Sequence, residues 1–98
     1  MAVTTLVDDL RAIRAIISSP DQWRQGEMGP GCCVAVAIAY VTNIWNPRWR
    51  AACQAIRQSA GIDDNSCIPA WNDALDTTHA KVLAAFDRAI AAAEAAHG

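Results

Sequence analysis

The sequence predicts an all-α fold, a compact bundle of about four helices with two longer loops, forming a single domain over residues 1–98. Three observations carry that prediction. Apolar residues make up 53% of the chain while Phe and Tyr occur once each, so alanine dominates the apolar set. Alanine has the best helix propensity, and the β-branched residues are scattered rather than clustered as strands would require. Apolar positions recur at helical spacing, and proline, glycine and serine clusters stand between the periodic segments. At 98 residues the chain does not comfortably hold two hydrophobic cores.

The first helix is predicted between Thr4 and Ser18. Leu6, Leu10, Ile13 and Ile17 share one face, while Asp8, Asp9, Arg11 and Arg14 fall off that stripe. Asp8 and Asp9 sit in early turns, where the positive end of the helix dipole favours them. Pro20 pushes Ser19 out of helical geometry and ends the helix. Pro20 to Gly31 reads as a loop around Trp23.

Cys32 to Asn43 is apolar on every side and carries no charge. Its alternation of Val34, Val36 and Ile38 with alanines also fits a strand, so periodicity leaves the choice open. A lone strand is not stable and the flanking segments offer no partner, which favours a helix in the middle of the bundle. Asn46 followed by Pro47 reads as an N-cap with proline at the first helical position, opening a third helix to about Ala60. Trp49, Ala52, Cys53 and Ile56 form its apolar face, Arg48, Arg50 and Arg57 reach solvent, and Gly61 ends it. Ile62 to Thr77 reads mostly as loop, anchored by Ile68, Pro69 and Trp71. Thr78 then caps a last helix to about Ala96, which buries Val82, Phe86, Ile90 and Ala93 with Leu83 alongside.

Charge and compartment narrow the function classes. The net charge is −2 and the eight basic residues are spread along the chain, so neither phosphate attraction nor a nucleic-acid partner is expected. The longest apolar run, Cys32 to Val41, is about half of what a bilayer-spanning helix needs, so no membrane span is expected. Asp8 and Asp9 stand where an export signal would be basic and then apolar. Two disulfides would be open to a secreted chain with four cysteines; without that signal the expectation is a cytoplasmic protein with free thiols.

Three local patterns occur in one order: Trp23-Arg24-Gln25-Gly26, then Cys33-Val34-Ala35-Val36-Ala37-Ile38, then Trp71-Asn72-Asp73 followed by Thr78 and Val82-Leu83. Together they resemble an uncharacterised small helical family, a domain of unknown function found largely in actinobacteria and their phages. Its members show a Trp-x-Gln-Gly loop, a Cys-Ala-x-Gly-Ala-Leu helix and a closing Trp-Asn-Asp-x-x-x-x-Thr-x-x-Glu-Val-Leu element. The resemblance spans nearly the whole chain after the first helix and is closest from Ala70 to Ala93. Val36 stands where the family usually has glycine, and a register using Cys32 instead of Cys33 is the alternative. Lys81 replaces the family's glutamate, which leaves Thr78 to cap without a reciprocal partner. The resemblance implies a helical fold and a phage or prophage setting, and it brings no activity.

Candidate chemistry is sparse. A nucleophilic site would combine Cys32 or Cys33 with His79 as base and Asp73 as its orienting group, although buried cysteines in apolar helices are ordinary packing. No metal is expected, because Cys32 and Cys33 are adjacent while Cys53, Cys67 and His79 are widely spaced. Gly26, Gly29 and Gly31 lack the strand and the lysine-serine signature of a phosphate loop, and no cofactor is implied. Trp71, Asn72 and Asp73 form either a structural turn or one wall of a pocket for a small polar ligand, with Trp23 and Gln25 as the opposite wall. Trp45 and Trp49, with Arg48 and Arg50 nearby, are either core or a contact surface of the kind that dominates protein interfaces. Four indoles are hard to bury in so small a chain, which points to self-association as a homodimer.

The functional expectation is a non-enzymatic binding module. In the setting the resemblance implies, it is a phage or prophage anti-defence accessory that inhibits a host protein or sequesters a small signal. A small thiol-dependent enzyme using Cys33 and a nucleic-acid-associated regulator are the alternatives.

Overall fold

The computed structural model describes residues 2–19, 21–25, 33–63 and 66–97. Five helices follow one another: α1 (Ala2–Ile16), α2 (Val34–Thr42), α3 (Pro47–Ala60), α4 (Ile68–Asp73) and α5 (His79–His97), with no strand among the described residues. The protein is an all-α bundle. α5 packs on α1 and α3, while α2 lies against α1, α3 and the short α4. Pro20, Gly26, Gly29, Gly31 and Cys32, which entered the sequence reading, lie outside the described residues.

The core is aliphatic with one ring. Leu10, Ile13 and Ile17 of the α1 stripe meet Val34 and Ile38 from α2, Ile56 from α3, and Val82 and Phe86 from α5, all fully buried. No tryptophan belongs to that fully buried set.

Helix ends follow their local chemistry. Asn46 accepts a hydrogen bond from the Trp49 backbone N–H at 2.9 Å, and Pro47 fills the first turn of α3 where its missing donor costs nothing. At the other end Gly61 adopts φ 69°, and the N–H groups of Ile62 and Gly61 return to the carbonyls of Arg57 and Gln58. That pair of bonds closes a Schellman motif, which favours glycine at the left-handed position. Thr78 caps α5 through Oγ1, which accepts from the Lys81 N–H at 3.2 Å.

Three expectations need correction and one needs an addition. The segment 62–77 is mostly loop, as expected, but it carries the short helix α4: Pro69 sits in its first turn, and Ile68 and Asn72, four residues apart, both turn inward. α2 is not buried all round. Val34, Ala37, Ile38 and Thr42 face the core, while Val36 and Tyr40 face solvent, Tyr40 with 82% of its surface exposed. Asp9 does not lie on an exposed face; it is 5% exposed and receives both arms of Arg48, from Nε at 3.0 Å and from a terminal nitrogen at 2.6 Å. A buried carboxylate needs such a partner. The cysteines are not packed away either: Cys33 and Cys53 are half-buried and Cys67 is exposed, all three as free thiols.

Two further ion pairs, Arg14 to Asp87 at 2.8 Å and Arg11 to Glu94, tie the outer edges of α1 and α5. Both are solvent-exposed and worth roughly 0–1 kcal/mol each. No helix among the described residues is long and apolar enough to cross a membrane.

Candidate functional site

The sequence singled out two tryptophan-bearing regions, and the fold treats them differently. The first is a corner where the loop after α1 meets α4 and the start of α5. Asn72, on the last turn of α4, is fully buried there. Its Oδ1 accepts from Trp23 Nε1 at 2.7 Å and from the Val34 backbone N–H at 3.1 Å. Its Nδ2 donates to the Arg24 carbonyl at 2.9 Å and to Asp73 Oδ1 at 3.0 Å. An asparagine side chain offers two acceptor sites and two N–H donors, so all four positions are engaged. Asn72 thereby caps α2 from a distance, since Cys33 at its N-cap position provides no side-chain bond.

Gln25 completes the corner. Its Nε2 lies 2.8–3.0 Å from the carbonyls of Asn72, Ala74 and Thr77, so its two N–H groups fasten the turn that links α4 to α5. Trp23 packs beside His79 with ring centroids 5.7 Å apart. His79 Nε2 donates to the Ile17 carbonyl at 2.7 Å, which fixes the proton on that nitrogen because a carbonyl only accepts. The two loops therefore meet in space, as the paired motifs suggested. Asn72, however, keeps no donor or acceptor open toward a ligand, and half-buried Trp71 packs against the core.

Of the candidate nucleophilic residues, Cys32 lies outside the described residues, while Cys33, His79 and Asp73 are described. Among the described residues no hydrogen bond joins Cys33 to His79. Asp73 accepts from Asn72, and the His79 Nε2 proton is held by Ile17 rather than by a carboxylate.

The second region is the start of α3. Trp45 precedes the helix with φ 74°, a conformation that is strained for a bulky residue, and holds its indole 68% exposed. It lies against half-buried Trp49, ring centroids 5.0 Å apart at 53°. Trp49, Cys53 and Arg57 continue as a ridge along α3 at intervals of one helical turn. On one side of the ridge is a groove of about 370 Å³, walled by Ala35, Ile44, Trp49, Cys53, Ile68 and Pro69, with Arg57 and Cys67 completing it. On the other side is a more open depression of about 440 Å³ that adds Arg50, Gln54 and Gln58.

Electrostatics separate the arginines. Hydrogen bonding to the Asp9 carboxylate, aided by its opposite charge, raises the Arg48 guanidinium above its already high value and commits it to that pair. The Arg50 side chain is exposed and makes no hydrogen bond or ion pair among the described residues. Arg57 donates to the carbonyls of Ser66 at 2.8 Å and Asp63 at 2.9 Å, holding the segment before α4 against α3. Burial pushes the Cys53 thiol up from its ordinary value against the opposing pull of the Arg57 cation.

Sequence reasoning placed Trp45 and Trp49 together but missed the groove beneath them. Its far wall comes from α4, whose signal was present: Ile68-Pro69 after an extended residue repeats the first-turn proline that was read correctly at Pro47. No group of three or more metal-ligating side chains occurs among the described residues.

One comparison with known proteins gives a match: a model of DUF6197, described as a family of unknown function, covers residues 1–92. No curated protein and no solved structure matches.

Proposed function

The chain belongs to this family of unknown function, and on that premise we propose that it is a non-enzymatic binding module whose recognition surface is the Trp45–Trp49 ridge with its adjoining groove. The observation that carries the reading is Trp45 itself. A large indole is held outward, on strained backbone, against Trp49, which in turn walls an apolar groove. Exposed aromatic side chains beside arginine are the residue types that dominate binding hot spots. Such a module works by occupancy, covering a host protein or sequestering a small signal. The resemblance read from the sequence extends this to a phage or prophage anti-defence accessory in the cytoplasm. A symmetric dimer through the same ridge is the alternative occupant.

Native mass spectrometry of the protein recovered from host lysate tests the reading. The wild type is expected to retain a partner, a metabolite or a second copy, and Trp45→Gly to lose it while keeping the same melting temperature. A bare monomer, or an identical set of retained species in both proteins, overturns it.

A further inference from the structure

We infer that the groove between α3 and α4 is a small-molecule site for an amphiphile with one anionic end, of the class of medium-chain carboxylates. This rests on the binding-module reading and names its ligand class. Three features of the groove lead there.

Size comes first. Ligand pockets run from about 300 to 1,000 Å³, are mostly apolar, and carry a few placed polar groups. At about 370 Å³ the groove is at the small end of that range. It holds roughly a dozen units of about 30 Å³, the share of one water in the liquid, and a ten-carbon acid is of that order.

Its walls come second. Ile44, Trp49, Ile68 and Pro69 present hydrocarbon and an indole face, which suits an alkyl or aryl body and offers nothing to a sugar or a peptide backbone. Burial pushes the Cys53 thiol up, away from the charged form.

Charge comes third and decides the headgroup. Arg57 lines both the groove and the neighbouring depression, Arg50 lines the latter, and among the described residues no carboxylate side chain lines either. The hydrogen bonds from Arg57 to the Ser66 and Asp63 carbonyls use two of the five guanidinium N–H groups and fix its plane. A guanidinium held in this way is prepared for a carboxylate, which it can meet with two parallel bonds. Among the described lining residues the only formal charges are thus cationic, on a chain of net charge −2, which favours anionic ligands over cationic ones.

Calorimetric titration with sodium decanoate, 1-decanol and decylamine, all below the concentrations at which they aggregate, tests the inference. Decanoate is expected to bind about ten-fold tighter than decanol, the low end of what a charge-assisted hydrogen bond contributes, and decylamine weakest of the three. Arg57→Gln should abolish the preference for decanoate over decanol, and Arg50→Gln should reduce it less. Because Arg57 also fastens the segment before α4, Ala35→Phe supplies an independent arm. It fills the groove without removing a side-chain hydrogen bond and should eliminate binding of both decanoate and decanol. Equal affinity for decanoate and decanol, undiminished decanoate binding in Ala35→Phe, or no decanoate binding at millimolar concentration each overturn the assignment. If decanoate fails while Trp45→Gly still strips a partner in the lysate experiment, the ligand class is wrong and the binding-module reading stands.

Discussion

The Trp23 corner and the Trp45 ridge use the same residue type for opposite ends. At the corner an indole N–H meets a buried asparagine whose remaining positions are all engaged by the chain itself. At the ridge an indole of the same size is held out of the core by its own backbone conformation. Residue identity therefore does not mark a binding site here; the fate of its polar atoms does. Where a buried side chain has its polar atoms met internally, as Asn72 does, substitution is expected to act on folding. On the proposed reading, substitution at the outward-facing ridge acts on association instead.

The largest expected effect is at the corner. Asn72→Ala removes one side chain and leaves the Trp23 indole N–H and the Val34 N–H without their acceptor, at about 1–3 kcal/mol for each buried orphan. A loss of about 3 kcal/mol or more in denaturant unfolding is expected, a large share of the 5–15 kcal/mol typical of a domain. A change under about 1 kcal/mol would break the comparison, because the corner would then not be structural.

Trp45→Gly sharpens the other side. Loss of the aromatic contact costs about 0.5–1.5 kcal/mol, and relief of a left-handed conformation returns about 1–2 kcal/mol. Thermal unfolding should thus move little, while a complex made through the ridge weakens by about 2 kcal/mol or more. A fall in stability matching that of Asn72→Ala would mean the ridge is core.

Thr78→Ala is a smaller probe. Removing the cap of α5 should cost about 1 kcal/mol and loosen the placement of His79 beside Trp23, which proton exchange at the Trp23 indole would report. Unchanged stability together with unchanged exchange would place the start of α5 elsewhere.

The smallest effects concern the thiols. Exposed Cys67 should label first with a thiol reagent, and Cys53 last of the three described cysteines, because burial opposes its thiolate. The same shift sets a pH dependence. The folded state holds the Cys53 proton more tightly than the unfolded chain, so its contribution is complete below the ordinary thiol value of about 8.5. It is lost as pH rises from there through the raised folded value. Cys53→Ala should remove that part of the alkaline decline, and a decline identical in the two proteins would contradict the burial.

Most of the helical frame was legible in the sequence. The α1 stripe, the Asn46-Pro47 start, the Gly61 stop and the Thr78 cap are local signals, and each lies where local chemistry put it. What escaped was non-local or too short. α4 has six residues, too few for periodicity to register. α2 is uniformly apolar, so its sequence says nothing about which side faces out. The Asp9–Arg48 pair joins residues 39 apart, and nothing near Asp9 announces it. Two of the three motifs that carried the resemblance, around Trp23-Gln25 and around Trp71-Asn72-Asp73, turn out to be two halves of one corner. Their co-occurrence was visible in the sequence, but which atoms they exchange was not.

The Asn72 corner also has a history in time. Its bonds to Trp23, Arg24 and Val34 close chain segments of 49, 48 and 38 residues. Contacts of such long range reward the chain only after the entropy of closing those loops has been met, whereas the turns of α3 and α5 form from neighbours. The corner is thus among the last parts to lock during folding, and stabilisation gained after the transition state appears in the unfolding rate. Stopped-flow kinetics of Asn72→Ala should show unfolding accelerated and folding nearly unchanged. The lifetime of the folded protein, more than the speed of reaching it, is what this one side chain governs.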